Sequence, residues 1–190
     1  MRIPNVRLLL LFSFVLSITA FAQTKAAPQP IKGPAPVAAK GAVVAKAPTG
    51  PPATLAQLMK GIFYPNSNVI FAAQNTNPAD VPQAKDPSVA VNPLESAYGK
   101  WEAVENSGLA LADAASLLTM PGRKCSNGRA VPMQNADWAK LVGDLRKAGL
   151  VAYQAAKAKD QDKILDAADV MTTACSNCHE KYREPKVRCK

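Results

Sequence analysis

The sequence predicts an all-α fold, an antiparallel up-down four-helix bundle. Three observations carry the prediction. Four segments repeat apolar residues at spacings of three and four, the period of a helix face and of a bundle seam. No stretch alternates apolar and polar residues as a half-buried strand does. Two of the connections between segments are short enough to join neighbouring antiparallel helices.

The first predicted segment, A, opens at Thr54 with Gln57 three residues on, a capping-box pattern. Leu55, Leu58, Met59, Ile62 and Phe63 follow at helical spacing. Pro65 lacks the N–H that would reach the carbonyl four residues back, so a kink or break is expected there before Val69, Ile70 and Ala73. Residues 75–92 read as a loop. Segment B is expected to start with Asn92 as N-cap and Pro93 in the first turn. Its seam runs Trp101, Val104, Gly108, Leu111, Ala115 and Leu118, and Pro121-Gly122 stops it. Segment C starts near Asn135 and carries Trp138, Leu141, Val142, Leu145 and Ala152. Segment D starts near Asp160 and reads Ile164, Ala168, Met171, Cys175, Cys178 and Tyr182, with Pro185 ending it.

Two stretches precede the bundle. Residues 1–22 read as a secretory leader: Arg2 and Arg7, an apolar run from Leu8 to Ile18, and Ala20-Phe21-Ala22 as the cleavage site. The run is short for a membrane span, so no stable span is expected after cleavage behind Ala22. Residues 23–53 are Ala, Pro, Lys and Gly without an aromatic residue, the composition of a disordered linker. The bundle domain is placed at 54–190. The chain holds 23 basic and 14 acidic residues. Removal of residues 1–22 takes two arginines and leaves a net charge of +7. Aromatic and basic residues are not interleaved as in nucleic-acid binders, so the charge is read as solubility and steering toward a partner.

The chemistry lies in Cys175-Ser176-Asn177-Cys178-His179. Two cysteines three apart with a histidine after the second form the attachment signature of a c-type haem. On a helix the two sulfurs fall on one face, one turn apart, where they can form thioethers with one edge of the macrocycle. His179 shares that face with Cys175 and can serve as an axial ligand. It is the single histidine of the chain, so a bis-histidine iron within one chain is excluded. Two other readings stay open. A thiol–disulfide motif uses the same spacing but expects a βαβ context. A zinc site wants four ligands, which Cys175, Cys178, His179 and Cys189 could supply.

An up-down-up-down order sets the start of A and the B–C loop beside the end of D. Met59 then lies at the height of His179 and is the candidate sixth ligand, the alternative being a core methionine. Met120 and Met133 flank the B–C loop and are weaker candidates, and Met171 reads as packing. Cys125 and Cys189 fall at the same end, and export favours a disulfide between them. Arg183, four residues after His179, is a candidate partner for a haem propionate or one more solvated base.

At Cys175-x-x-Cys178-His179-x-x-Tyr182-Arg183 the chain resembles the class II cytochromes c, the cytochrome c prime group. Ala148-Gly149, Ala155-Ala156, Asp160, Leu165 and a first-helix methionine extend the resemblance over roughly residues 54–184. It implies a left-handed four-helix bundle with one covalent haem c and His179 as proximal ligand. Some members keep a five-coordinate iron that binds small gases. Others use a first-helix methionine as sixth ligand and carry electrons, the kind that Met59 fits. Members often form homodimers through the first two helices.

The expected function is that of a periplasmic one-electron carrier, not an enzyme, that exchanges electrons with a redox partner protein. The alternative is a five-coordinate haem protein that binds NO or CO. A third, from another class, is a structural or metal-binding module without haem.

Overall fold

Thr54 opens α1 (Leu55–Leu58) with a reciprocal cap. Its hydroxyl accepts from the Gln57 N–H, and the Gln57 side chain accepts from the Thr54 N–H. This is the capping box expected at that position. Met59–Phe63 then form a π-helical turn, from which α2 (Tyr64–Asn75) continues. Pro65 accounts for the turn. It brings no N–H and its ring would strike the carbonyl four residues back. The backbone widens just before it, and the Tyr64 N–H donates to the Met59 carbonyl. The expected break is therefore a widened turn inside a continuous helix. The buried positions step from Leu58 to Phe63, then to Ser67, Ile70 and Ala73.

This computed structural model describes residues 50–183 and Cys189. The leader expected over 1–22, the linker up to residue 49, and Pro185 lie outside the described residues. The described residues belong to one unit, Ala45–Lys190. Gly50 and Ala53 lie against the α3–α4 loop at Gly122 and Arg123.

Asn92 caps as expected, but only a short 3₁₀ turn, Pro93–Glu95. The chain is extended at Ser96, and α3 (Lys100–Ala114) starts after Gly99, seven residues later than the sequence suggested. The Ser96 N–H and hydroxyl both donate to the Pro93 carbonyl, which closes the first turn on itself. A 3₁₀ stretch, Ala115–Thr119, extends α3. The next helix, α4 (Trp138–Lys157), starts at Trp138 rather than near Asn135, whose side chain donates to the Tyr182 hydroxyl instead. Asp160 caps α5 (Gln161–Tyr182) by accepting from the Lys163 N–H, as the sequence suggested.

The described residues are helical, without a named strand. The α2 helix packs on α3 and α5, and α4 packs on the same two. Trp101, Val104, Leu111, Ala115 and Leu118 of the expected B seam are all buried, as are Ile164, Ala168 and Met171 of D. At the α3–α4 crossing the backbones touch. A Cβ on Gly149 would stand 2.7 Å from the Ala112 nitrogen, and one on Gly108 would stand 2.7 Å from the Tyr153 nitrogen. Hydrogen at both positions is what permits this approach. Among the described residues no helix is long and apolar enough to cross a membrane.

The loop between α3 and α4 folds back on itself, with the Cys125 N–H on the Arg129 carbonyl at 2.8 Å and the Val131 N–H on the Arg123 carbonyl at 3.2 Å. Cys125 is buried on this loop and is disulfide-bonded to Cys189, the pairing expected from the sequence.

Candidate functional site

At the end of the molecule where α5 finishes, a cavity of about 340 Å³ opens between α1, the π turn, α4 and α5. Its size is that of sites for small molecules and cofactors. The walls are mainly apolar: Leu55 and Phe63 on the first helix, Leu111 and Leu118 on α3 and its extension, Trp138 and Leu145 on α4. Such walls exclude water and leave little to bond a polar ligand, so the few polar groups present set what the cavity can hold.

Apart from Tyr64 and Ser67 of α2, where the Ser67 hydroxyl donates to the Tyr64 carbonyl, those groups come from two elements. From α5 come Cys175, Cys178 and His179, each half-buried, with Arg183 exposed at the rim. From the π turn come Met59, half-buried, and Lys60, exposed. Cys175 and Cys178 are free thiols. The structure thus brings Met59, Cys175, Cys178, His179 and Arg183 to one cavity, as the sequence reading expected. Met120, Met133 and Met171 are not on its wall. Met171 is fully buried in the core. Cys189 reaches the wall as half of the disulfide, so it has no thiolate to offer a metal ion.

The electrostatics follow from burial. Desolvation raises the Cys175 thiol, and it pushes Cys178 up to about 11, with smaller additions from Cys175 and Asp137. Both remain protonated at neutral pH. Burial, with the nearby Arg183 charge, lowers His179 below its ordinary range, so its ring is neutral at pH 7 and has a nitrogen lone pair to donate. The site therefore offers two neutral thiols, a neutral imidazole and a thioether on apolar walls, with two cations at the mouth.

The end of α5 is held in place by its own contacts. The Tyr182 ring meets Trp138 edge-on with centroids 4.9 Å apart, and its hydroxyl donates to Asp137 at 2.6 Å. Lys181 bonds the other Asp137 oxygen. Asp137, held below the ordinary carboxylate range first by Lys181 and then by Tyr182, stays charged and fixes the last turn carrying His179.

The sequence reading missed Lys60, Trp138, Leu111 and Leu118 as cavity residues. The aromatic and leucines carry an ordinary core signal, and Lys60 had only its place beside Met59 to mark it.

Compared with protein-family models, curated proteins and solved structures, the chain matches none.

Proposed function

We propose that this chain is a class II cytochrome c: an exported, periplasmic carrier of single electrons with one covalently attached haem c in an antiparallel four-helix bundle. The observation that carries the reading is the meeting of Cys175, Cys178, His179 and Met59 on one apolar cavity. A zinc site is the weaker reading, because Cys189 is committed to Cys125 and among the described residues no group of three or more His, Cys, Asp and Glu is gathered for a metal ion.

Bound haem supplies a one-electron iron couple whose potential follows its axial ligands. The chain's own residues have separable tasks in this reading. The Cys175 and Cys178 sulfurs are the attachment points. His179 donates a nitrogen from the helix that bears them, and Met59 offers a thioether from the first helix. The leucine, phenylalanine and tryptophan walls keep water out. Arg183 and Lys60 stand where carboxylates at the cavity mouth would be neutralised. No residue is assigned a catalytic role, since the chain has no second histidine for proton transfer.

Several contacts favour the antiparallel order. Gly108 lies against Tyr153 while Ala112 lies against Gly149, so α3 and α4 run in opposite directions there. The Gln161 side chain at the start of α5 donates to the Ala73 carbonyl near the end of α2.

The test is the absorption spectrum of the purified mature protein, oxidised, reduced, and reduced with carbon monoxide, with a mass spectrum to detect the haem-sized increment. The expected spectrum is low-spin, with a methionine–iron charge-transfer band, and is unmoved by carbon monoxide. Met59→Ala should convert it to high-spin. A high-spin wild type that shifts with carbon monoxide would replace electron transfer by gas binding and reduce Met59 to packing.

A further inference from the structure

Arg123 is a buried charge outside the site just described. It sits in the α3–α4 loop, 2 % exposed, and its guanidinium holds three acceptors together. Nε donates to the Leu117 carbonyl at 2.8 Å, Nη2 donates to the Met120 sulfur at 3.3 Å, and Nη1 donates to the Ala53 carbonyl. None of the three is a carboxylate, so the contact is not an ion pair. A planar fork of fixed N–H donors suits such divergent acceptors, and a single ammonium does not.

We infer that Arg123 is the positioning residue for Met59: by tying the Ala53 carbonyl to the end of α3, it fixes where the first helix starts and where the Met59 thioether stands on the cavity wall.

The argument runs along the chain. Ala53 precedes the cap Thr54, and α1 has only four residues before the π turn begins at Met59. The first turn is continuous with the helix to Asn75, and Leu55 and Leu58 pack it into the core. Where its start meets the α3–α4 loop is set by two polar contacts from that loop: Arg123 on the Ala53 carbonyl, and the Lys124 carbonyl, which accepts from the Leu55 N–H at 2.9 Å. Met59 follows directly, in a π turn whose hydrogen bonds are already displaced from the α pattern. The same guanidinium engages the sulfur of Met120, the methionine nearest to it in the loop, and Met120 is not on the cavity wall. Arg123 therefore both places one methionine and occupies the other. The consequence for iron ligation rests on the reading proposed above, whereas the placement of Met59 does not.

The test uses the full mature chain labelled with ¹³C at the methionine methyls, as wild type, Arg123→Gln, Arg123→Lys and Ile164→Val. Met59→Leu and Met120→Leu assign the two signals. Ile164 is buried in α5 and is not on the cavity wall, so its variant controls for general loss of stability. In Arg123→Gln the Met59 and Met120 methyl signals should both shift or broaden, while Met171 stays put. Arg123→Lys should restore part of the change, and Ile164→Val should move neither signal. In reduced haem-loaded protein, Arg123→Gln should also lose the upfield-shifted signal of an iron-bound methionine methyl and bind carbon monoxide at least tenfold faster. A folded Arg123→Gln protein with an unmoved Met59 signal overturns the inference, as does an equal shift of Met59 in Ile164→Val. A wild type without an upfield methyl would end the Met59 ligation reading, and the Met59 shift would still decide the role of Arg123.

Discussion

Tyr182 donates its phenol hydrogen to Asp137 at 2.6 Å, joining the last residue of α5 to the residue just before α4. Three residues earlier on α5 stands His179, so this bond helps to fix the histidine against the cavity. The Asp137 carboxyl lies below its ordinary range, first through Lys181 and then through Tyr182. A depressed folded pKa adds stability above the unfolded pKa and loses it as pH falls through the folded one. The difference in Tm between wild type and Asp137→Asn should hold steady above about pH 4 and close below it. Thermal melts by circular dichroism across that range provide the check, and a gap that persists in strong acid would contradict the assignment. Tyr182, raised by burial and by Asp137, keeps its hydrogen beyond the ordinary phenol range, so Tyr182→Phe should lower Tm at neutral pH.

The thiols should divide into two classes. Cys175 and Cys178 are free thiols and Cys125 is bonded to Cys189. Denatured protein without reductant should take up two equivalents of a thiol label, and four after reduction. In native protein Cys178, near 11, should react slowly at pH 8, with about a hundredfold less thiolate than an unperturbed cysteine. Under the proposed covalent haem attachment, the loaded protein should take up none without reductant. Replacing Cys125 and Cys189 by serine should cost about 2–4 kcal/mol in chemical denaturation, as expected for a bond closing a long loop.

Two glycines of α4 should respond in opposite directions to alanine. At Gly149 the added methyl would meet the Ala112 nitrogen and the Gly108 oxygen, each at 2.7 Å. Backbone cannot move aside as a side chain can, so α3 and α4 must separate, at a cost of about 1–3 kcal/mol. At Gly143 a Cβ meets nothing within 4 Å. There the better helix former should stabilise by about 0.5–1 kcal/mol. Urea denaturation of both variants checks the pair, and equal effects would mean that the close crossing is not needed.

What the sequence made legible follows from the range of each signal. Asp160, Ile164, Ala168 and Met171 lie in one long amphipathic run with a cap, so α5 was readable almost to the residue. That Cys175, Cys178 and His179 share one wall was readable because contiguous spacing on one helix sets it. Met59 needed the order of the helices as well. The late start of α3 was hidden because Asn92 and Pro93 are equally good openings for a short turn. Arg123 was hidden more deeply. In a loop reading Arg123-Lys124 it resembles solvated charge, and two of its three acceptors are backbone carbonyls, which have no residue signature.

The π turn gives the first helix one residue more than an α-helix would need over the same turn. Deleting one residue there, for instance the exposed Gly61, with Pro65→Ala, would let the turn close. The helix on either side would keep its faces, because the widened turn already absorbs the extra residue. When this chain is aligned with a helix that has no such widening, the columns before residue 59 and after residue 63 are out of phase by one. An ungapped alignment would then assign the cavity position to the wrong residue.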